Sequence, residues 1–158
     1  TSISITTSGA FAQNQTITVF AASAGSYLYQ MDNGNFQQSN VFENVAAGTH
    51  VITVIDETGC SEPISAEIII VDYPRFFTPN GDGYNDYWVI TAFNSLQNPI
   101  VSIFDRYGKL ITQISRTTIG WDGTFNGKNL PAADYWFTID FTENNTRKTF
   151  KSHFSLVR

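Results

Sequence analysis

Arg75-Phe76-Phe77-Thr78-Pro79-Asn80-Gly81-Asp82-Gly83-Tyr84-Asn85-Asp86-Tyr87-Trp88 divides the chain into two stretches of different texture. Its glycines, its proline and its amide and acid side chains exclude a regular element. They predict a tight loop whose carboxylates turn toward their own backbone. Phe76, Phe77, Tyr87 and Trp88 flank the loop and favour burial. The stretch reads as a polar knot between apolar clamps, with one small β-domain before it, residues 1–72, and a second after it, residues 73–158.

Upstream, residues 2–6 alternate weakly, as an edge strand does, and Thr16–Ala21 alternates as a half-buried strand. Tyr27–Met31 is followed by Asp32-Asn33-Gly34 and Phe36. Asn-Gly between β-formers predicts a two-residue primed turn with positive φ at both positions. Val41–Val45 reads as a short strand or turn, His50–Ile55 as the core strand, and Ile64–Val71 as a buried strand opened by Pro63. Short strands at regular spacing, without a helical period, predict an immunoglobulin-like sandwich.

Downstream, Tyr73-Pro74 is a stiff hinge, because the residue before proline is held extended. Tyr87–Thr91 reads as a strand and residues 94–99 as a loop. Ile100–Asp105 and Leu110–Ile114 form a hairpin around Arg106-Tyr107-Gly108-Lys109. Trp121-Asp122-Gly123 and Asn126-Gly127-Lys128-Asn129 are turn chemistry around Phe125. Asp134–Phe141 is a long aromatic strand, turned by Glu143-Asn144-Asn145-Thr146 into the closing strand Thr149–Val157. The expected fold is therefore all-β, two tandem immunoglobulin-like β-sandwich domains. The halves echo each other. Residues 45–54, Val-Ala-Ala-Gly-Thr-His-Val-Ile-Thr-Val, parallel residues 130–139, Leu-Pro-Ala-Ala-Asp-Tyr-Trp-Phe-Thr-Ile. Each is a small-residue corner entering a core strand, and Tyr135 stands where a tyrosine corner ties its hydroxyl to nearby backbone.

Composition agrees with this class. The chain has 158 residues, of which 42% are apolar, 15% aromatic and 15% charged. High aromatic content suits β-structure with a filled core, and low charge with much Thr, Ser and Asn suits extracellular sandwiches. The net charge of −5 lacks the basic stripe that nucleic acid needs. Cys60 is the single cysteine, so no disulfide forms within the chain; it reads as a small apolar filler after a turn or as a reactive thiol. The longest apolar run, Ile68 to Val71, is too short for a transmembrane helix. Thr1 does not resemble a natural start and no signal peptide is seen, which reads as a piece of a longer secreted chain.

The motifs of the second half, taken together, resemble a known family. Residues 73–83 with Asn85-Asp86-Tyr87-Trp88 are similar to the opening of the gliding-motility-associated C-terminal domain of Bacteroidetes, the type B sorting domain of the type IX secretion system. The resemblance continues through residues 103–111, Trp121-Asp122-Gly123, Asn126-Gly127, Leu130-Pro131, Asp134-Tyr135-Trp136 and residues 151–158. Asp134 and Ser152 stand where the family carries glycine. The first half is similar to the repeat modules that precede this domain in large surface adhesins, through Tyr29, Asp32-Asn33-Gly34, Phe36, Ala47-Gly48-Thr49, Val54, Asp56 and Gly59-Cys60.

The resemblance implies a secretion signal of a large gliding adhesin, exported through the outer membrane to the cell surface. Its partners would be the secretion machinery, a dedicated outer-membrane barrel and the rest of the adhesin upstream, with no nucleic acid. The residues it implicates in recognition are Phe76, Phe77, Pro79, Asn80, Asp82, Trp121, Asp122 and Arg158. Such an address is a surface and not a catalyst.

Three other chemistries can be read from the residues. Asn80, Asp82, the Tyr84 carbonyl and Asp86 recur at every second position, the ligand rhythm of a calcium loop. The closing glutamate is replaced by Thr91, so a metal-free loop pinned by side-chain bonds to its own backbone competes with a Ca2+ site, and no cofactor is required. For catalysis, His50 and His153 lie in different domains, no elbow motif or paired acid and base is present, and no enzyme is expected. The alternative function is carbohydrate binding by a platform of Tyr107, Trp121, Tyr135, Trp136 and Phe137, which a coplanar row of solvent-facing rings would support.

Overall fold

Side-chain alternation folds the chain into two all-β units, Thr1–Asp72 and Tyr73–Arg158, in a computed structural model that describes residues 2–59 and 61–158. Cys60 lies outside the described residues.

The first unit contains β1 (Ile3–Thr7), β2 (Ile17–Ala21), β3 (Tyr27–Met31), β4 (Val41–Phe42), β5 (Gly48–Asp56) and β6 (Ile64–Ile70). They form two antiparallel sheets, β1-β2-β4 and β3-β5-β6. These orders are those of strands A, B, E and C, F, G of an immunoglobulin sandwich. Ile17, Val19 and Phe42 from one sheet meet Tyr29, Ile52, Val54 and Ile70 from the other in a single core cluster. Alternate positions along each strand supply them, as the two-residue period of a strand requires.

The turn after β3 differs from expectation. Asn33-Gly34 does not form a primed turn; Asp32 is the residue at positive φ, 52°, and Gly34 N–H donates to the Met31 carbonyl at 3.0 Å. The strand returns only as a bridge between Tyr29 and Gln37. A side-chain bond overrides the local turn preference here, because the Asp32 carboxylate accepts the Val51 N–H of β5 at 2.9 Å.

The second unit contains β7 (Phe76–Phe77), β8 (Gln97–Phe104), β9 (Leu110–Ile114), β10 (Thr124–Phe125), β11 (Lys128–Asn129), β12 (Ala133–Glu143) and β13 (Thr146–Leu156). One sheet runs β7-β13-β12-β8-β9, antiparallel except for the parallel pair β7–β13. β13, β12, β8 and β9 stand in the order G, F, C, C′ of a variable-type immunoglobulin sheet. Residues 126–127 and 144–145, all at positive φ, make the tight primed turns that close β10–β11 and β12–β13.

The opposing layer is where sequence and structure part. Tyr87–Thr91 is not a continuous strand; it makes an isolated bridge from Trp88 to Trp121 and has a second single bridge residue at Thr91. Residues 94–99 are not one loop either. A 3-10 turn at Phe93–Ser95 precedes β8, which already includes Pro99. Proline is tolerated there because the pairing with β12 shifts register between Asp140 and Thr142, and Asn98 takes φ 48°. In place of a full second sheet, Trp88, Ile90, Phe93, Leu96 and Trp121 pack inward as a layer of large buried side chains. Trp88 lies stacked on Phe154 of β13, centroids 3.9 Å apart and 13° from coplanar, and its Nε1–H donates to the Pro74 carbonyl at 2.8 Å.

Tyr135 is a tyrosine corner: its hydroxyl donates to the Pro131 carbonyl at 3.0 Å. Tyr135→Phe keeps the ring and leaves that carbonyl without its partner. It is expected to lower the second unit's unfolding free energy by about 1 kcal/mol, read as a lower urea midpoint at unchanged slope.

Candidate functional site

β7 carries the chain from core to rim in two residues. Phe77 is 1% exposed against the sheet's inner face, and its neighbour Phe76, on the opposite face, is 54% exposed. Backbone bonds from Ser155 N–H to the Arg75 carbonyl, 2.9 Å, and from Val157 N–H to the Phe77 carbonyl, 3.0 Å, zip β7 to the end of β13.

The polar knot then folds around Asp86. Its Oδ1 accepts the N–H groups of Asn80 (3.0 Å) and Gly81 (2.7 Å), and its Oδ2 accepts that of Gly83 (2.8 Å). Asp82 Oδ1 accepts the Tyr84 N–H and Oδ2 the Asn80 amide, while Asn80 Oδ1 accepts the Asp82 N–H. Thr78 N–H closes the loop on the Asn85 carbonyl at 2.8 Å. Gly81 and Gly83 both sit at positive φ, which turns successive N–H groups inward onto one carboxylate.

This arrangement bears on the expected calcium ligands. The oxygens of Asn80, Asp82 and Asp86 point at N–H donors inside the loop, so the side chains present do not fit a cation cage as folded. Among the described residues, no group of three or more His, Cys, Asp or Glu gathers as a metal site.

The N–H of Gly81 and then that of Gly83 hold the Asp86 carboxyl below its ordinary 3.8; desolvation opposes them, and the Asn80 N–H adds a lesser contribution. A depressed carboxyl stabilises the fold above its unfolded value and loses that contribution as pH falls through the folded one. The melting temperature is therefore expected to drop on acidification below about pH 4. Asp86→Asn is expected to remove this share already at neutral pH, which thermal melts across the acid range would show.

Arg158 joins three loops. Its Nε–H donates to the Leu130 carbonyl at 3.1 Å, its Nη2 to the Gly123 carbonyl at 3.1 Å, and its Nη1 to the Pro79 carbonyl at 3.5 Å. Beside it, Asp122 Oδ1 accepts both the N–H and the hydroxyl of Thr124. The Trp121 Nε1–H donates to the Thr124 carbonyl at 2.9 Å. Pro79, Gly81, Asp86, Asp122, Thr124 and Arg158 line a cleft of about 290 Å³.

The structure thus gathers Pro79, Asp122 and Arg158, with exposed Asn80 and Asp82 on the adjoining loop and exposed Phe76 on β7. Phe77 and Trp121, named with them in the sequence, are buried and lie beneath this rim. The aromatic platform is corrected. Tyr135, Phe137 and Trp121 are core residues, and of the five rings only Trp136 and Tyr107 face solvent. Inter-sheet packing claims every second ring of β12, so no coplanar exposed row forms.

Sequence reasoning missed the outer face of the five-stranded sheet. Leu110, Phe104, Trp136 and His153 are cross-strand neighbours there, on β9, β8, β12 and β13. The alternation of β12 was the available signal, because an inward Tyr135 and Phe137 put Trp136 outside. A second cavity of about 380 Å³ lies at the β8–β9 turn, lined by Asp105, Tyr107, Lys109, Phe125, Leu130 and Tyr135. The Asp105 carboxylate there accepts the N–H groups of Tyr107 and Lys109, both at 2.9 Å.

Comparison with known proteins gives a family for this unit. Residues 71–156 match the family model described as the CHU_C type IX secretion signal domain. No curated protein matches the chain. A solved structure titled "Biofilm associated protein - BSP domain" aligns at 12% identity with a TM-score of 0.31, covering 98% of this chain and 29% of its own.

Proposed function

Because the chain belongs to the family of type IX secretion signal domains, we propose that its second unit is the address by which a large surface adhesin of gliding Bacteroidetes leaves the cell. The family assignment carries a sorting signal for the type IX secretion machinery, hence export through the outer membrane to the cell surface or beyond. The finer reading adds a dedicated outer-membrane barrel as receptor and an upstream adhesin, of which the first unit is one repeat module. The immunoglobulin-like order of the first unit's strands supports a repeat of that kind.

The observation that carries the reading is the family match, which falls on residues 71–156 and so on the second unit. A recognised surface must hold its shape before it meets its receptor, since ordering loops on binding costs affinity. Arg158 and Asp86 supply that order at the rim. The same geometry supports recognition over catalysis: Asp82, Asp86, Asp105 and Asp122 are each engaged with N–H groups of their own turns. Because the Asp86 carboxylate is bonded to N–H groups of its own loop, adding calcium or a chelator is expected to leave the melting temperature unchanged. A calcium-dependent rise would restore the metal site.

The test fuses the full chain behind a periplasmic reporter in a bacterium that has the secretion system. The reporter is expected at the cell surface with residues 1–158, and inside with residues 1–72 alone. Retention of the full fusion would count against an address.

A further inference from the structure

His50 stands in the first unit where Tyr135 stands in the second. The two corner sequences align residue for residue, and the bonds repeat as well. The Tyr135 hydroxyl reaches the carbonyl four residues upstream, Pro131, and His50 Nε2 lies 2.9 Å from the carbonyl four residues upstream, Ala46. The histidine makes one tie more. Its Nδ1 lies 2.8 Å from Asp32 Oδ2, at the end of β3, while Asp32 Oδ1 holds the Val51 N–H.

Carbonyl and ionised carboxylate oxygens only accept hydrogen bonds. A neutral imidazole has one N–H and can serve one of them; the imidazolium has two and serves both. We propose that His50 is held doubly protonated and works as a proton-dependent corner staple, tying the entry of β5 to β3 and releasing the Ala46 carbonyl when it loses a proton.

The surroundings agree. The ring's side chain is 13% exposed. Opposite it on β6 stands Ile68, the corner offers the Ala46 carbonyl, and the charged group acting on it is Asp32. Residues 1–72 hold seven Asp and Glu and no Lys or Arg, so His50 is the one side chain of this unit able to carry positive charge. Burial works against the charged ring, but the bonds to Asp32 and Ala46 and the Asp32 charge outweigh it, raising His50 above its ordinary 6.5. The bond from His50, followed by that from Val51, lowers Asp32 below its ordinary 3.8.

The signs define a window. A raised histidine stabilises fully below its unfolded value and loses that contribution as pH climbs through the folded one. The lowered Asp32 does the reverse at the acid end. On deprotonation Nδ1 keeps its proton, because the carboxylate is the stronger acceptor. The Nε2 lone pair then faces the Ala46 carbonyl, and the corner opens. The phenol of Tyr135 titrates far higher, so the second unit's corner stays closed across the same range.

The experiment is nitrogen-15 NMR of the imidazole in the full chain carrying His153→Gln, which leaves a single ring. Both nitrogens are expected protonated at neutral pH, with a midpoint above the ~6.5 of a free imidazole. Asp32→Asn should lower that midpoint. The first unit should also melt lower in mildly alkaline buffer than in mildly acidic buffer, a difference that shrinks in His50→Gln. A singly protonated ring at neutral pH, or a midpoint that Asp32→Asn leaves in place, would overturn the proposal. The ring measurement needs no variant at the corner itself, so a misfolded mutant cannot hide the answer.

Discussion

Replacing Trp88 with alanine is expected to bring the second unit to the edge of unfolding and to end display of a reporter fused to it. Trp88 is 0% exposed and carries three connections at once. Its indole stacks on Phe154 and lies 4.9 Å from Phe137, its Nε1–H satisfies the Pro74 carbonyl, and its backbone exchanges both bonds with Trp121. Deleting a buried Trp or Phe side chain costs about 3–5 kcal/mol. A unit the size of residues 73–158 has about 4–13 kcal/mol in total, so the variant loses a large fraction of its stability. Trp136→Ala is the control. Trp136 is 43% exposed on the outer sheet face, and its loss should cost about 1 kcal/mol or less. Urea unfolding of the full chain compares the two. If Trp88→Ala unfolds as Trp136→Ala does, then one bridge and one stack are not what replaces the missing second sheet.

Gly123→Ala is expected to be strongly damaging for the addition of a single methyl. Gly123 has φ +79°, a conformation that costs a residue with a Cβ about 1–2 kcal/mol. The added Cβ would also sit 2.8 Å from Leu156 Cδ1, 3.1 Å from Arg158 Nη2 and 3.2 Å from Pro79 Cγ. Leu156 is buried and has little room to yield, and overpacking of this kind costs a further ~1–3 kcal/mol. Gly127→Ala separates the two effects, because Gly127 has nearly the same φ, +74°, with nothing within 4 Å of its Cβ position. Gly123→Ala should therefore lose ~1–3 kcal/mol more than Gly127→Ala, and should weaken surface display more as Arg158 is pushed off the Gly123 and Pro79 carbonyls. Equal losses would mean that the three rim loops are not packed through this position.

Strand identity was largely legible because period-2 alternation is local. Tyr27–Met31 and Leu110–Ile114 match β3 and β9 residue for residue, and Asn126-Gly127 closes its turn as its chemistry predicts. Partners separated by many residues were not legible. Asp32 abandons the expected turn for Val51 and His50, and residues 87–91 read as a strand but form single bridges, one of them from Trp88 to Trp121. The site divides in the same way. The loop's glycines and acids announced a self-bonded knot, while nothing local said that Arg158 would close on it.

Alternation, turn residues and aromatic content by themselves determined an all-β chain of two sandwich-like units, the second opening on the glycine-rich stretch, and the order of motifs marked the second half as a secretion signal domain. Which aromatic rings are core and which are surface, that Arg158 holds three loops, and that His50 repeats the bond of Tyr135 were decided only by tertiary structure. The reason is physical: a side chain's exposure and its hydrogen-bond partner depend on what the rest of the chain places against it, and that neighbour lies far along the sequence.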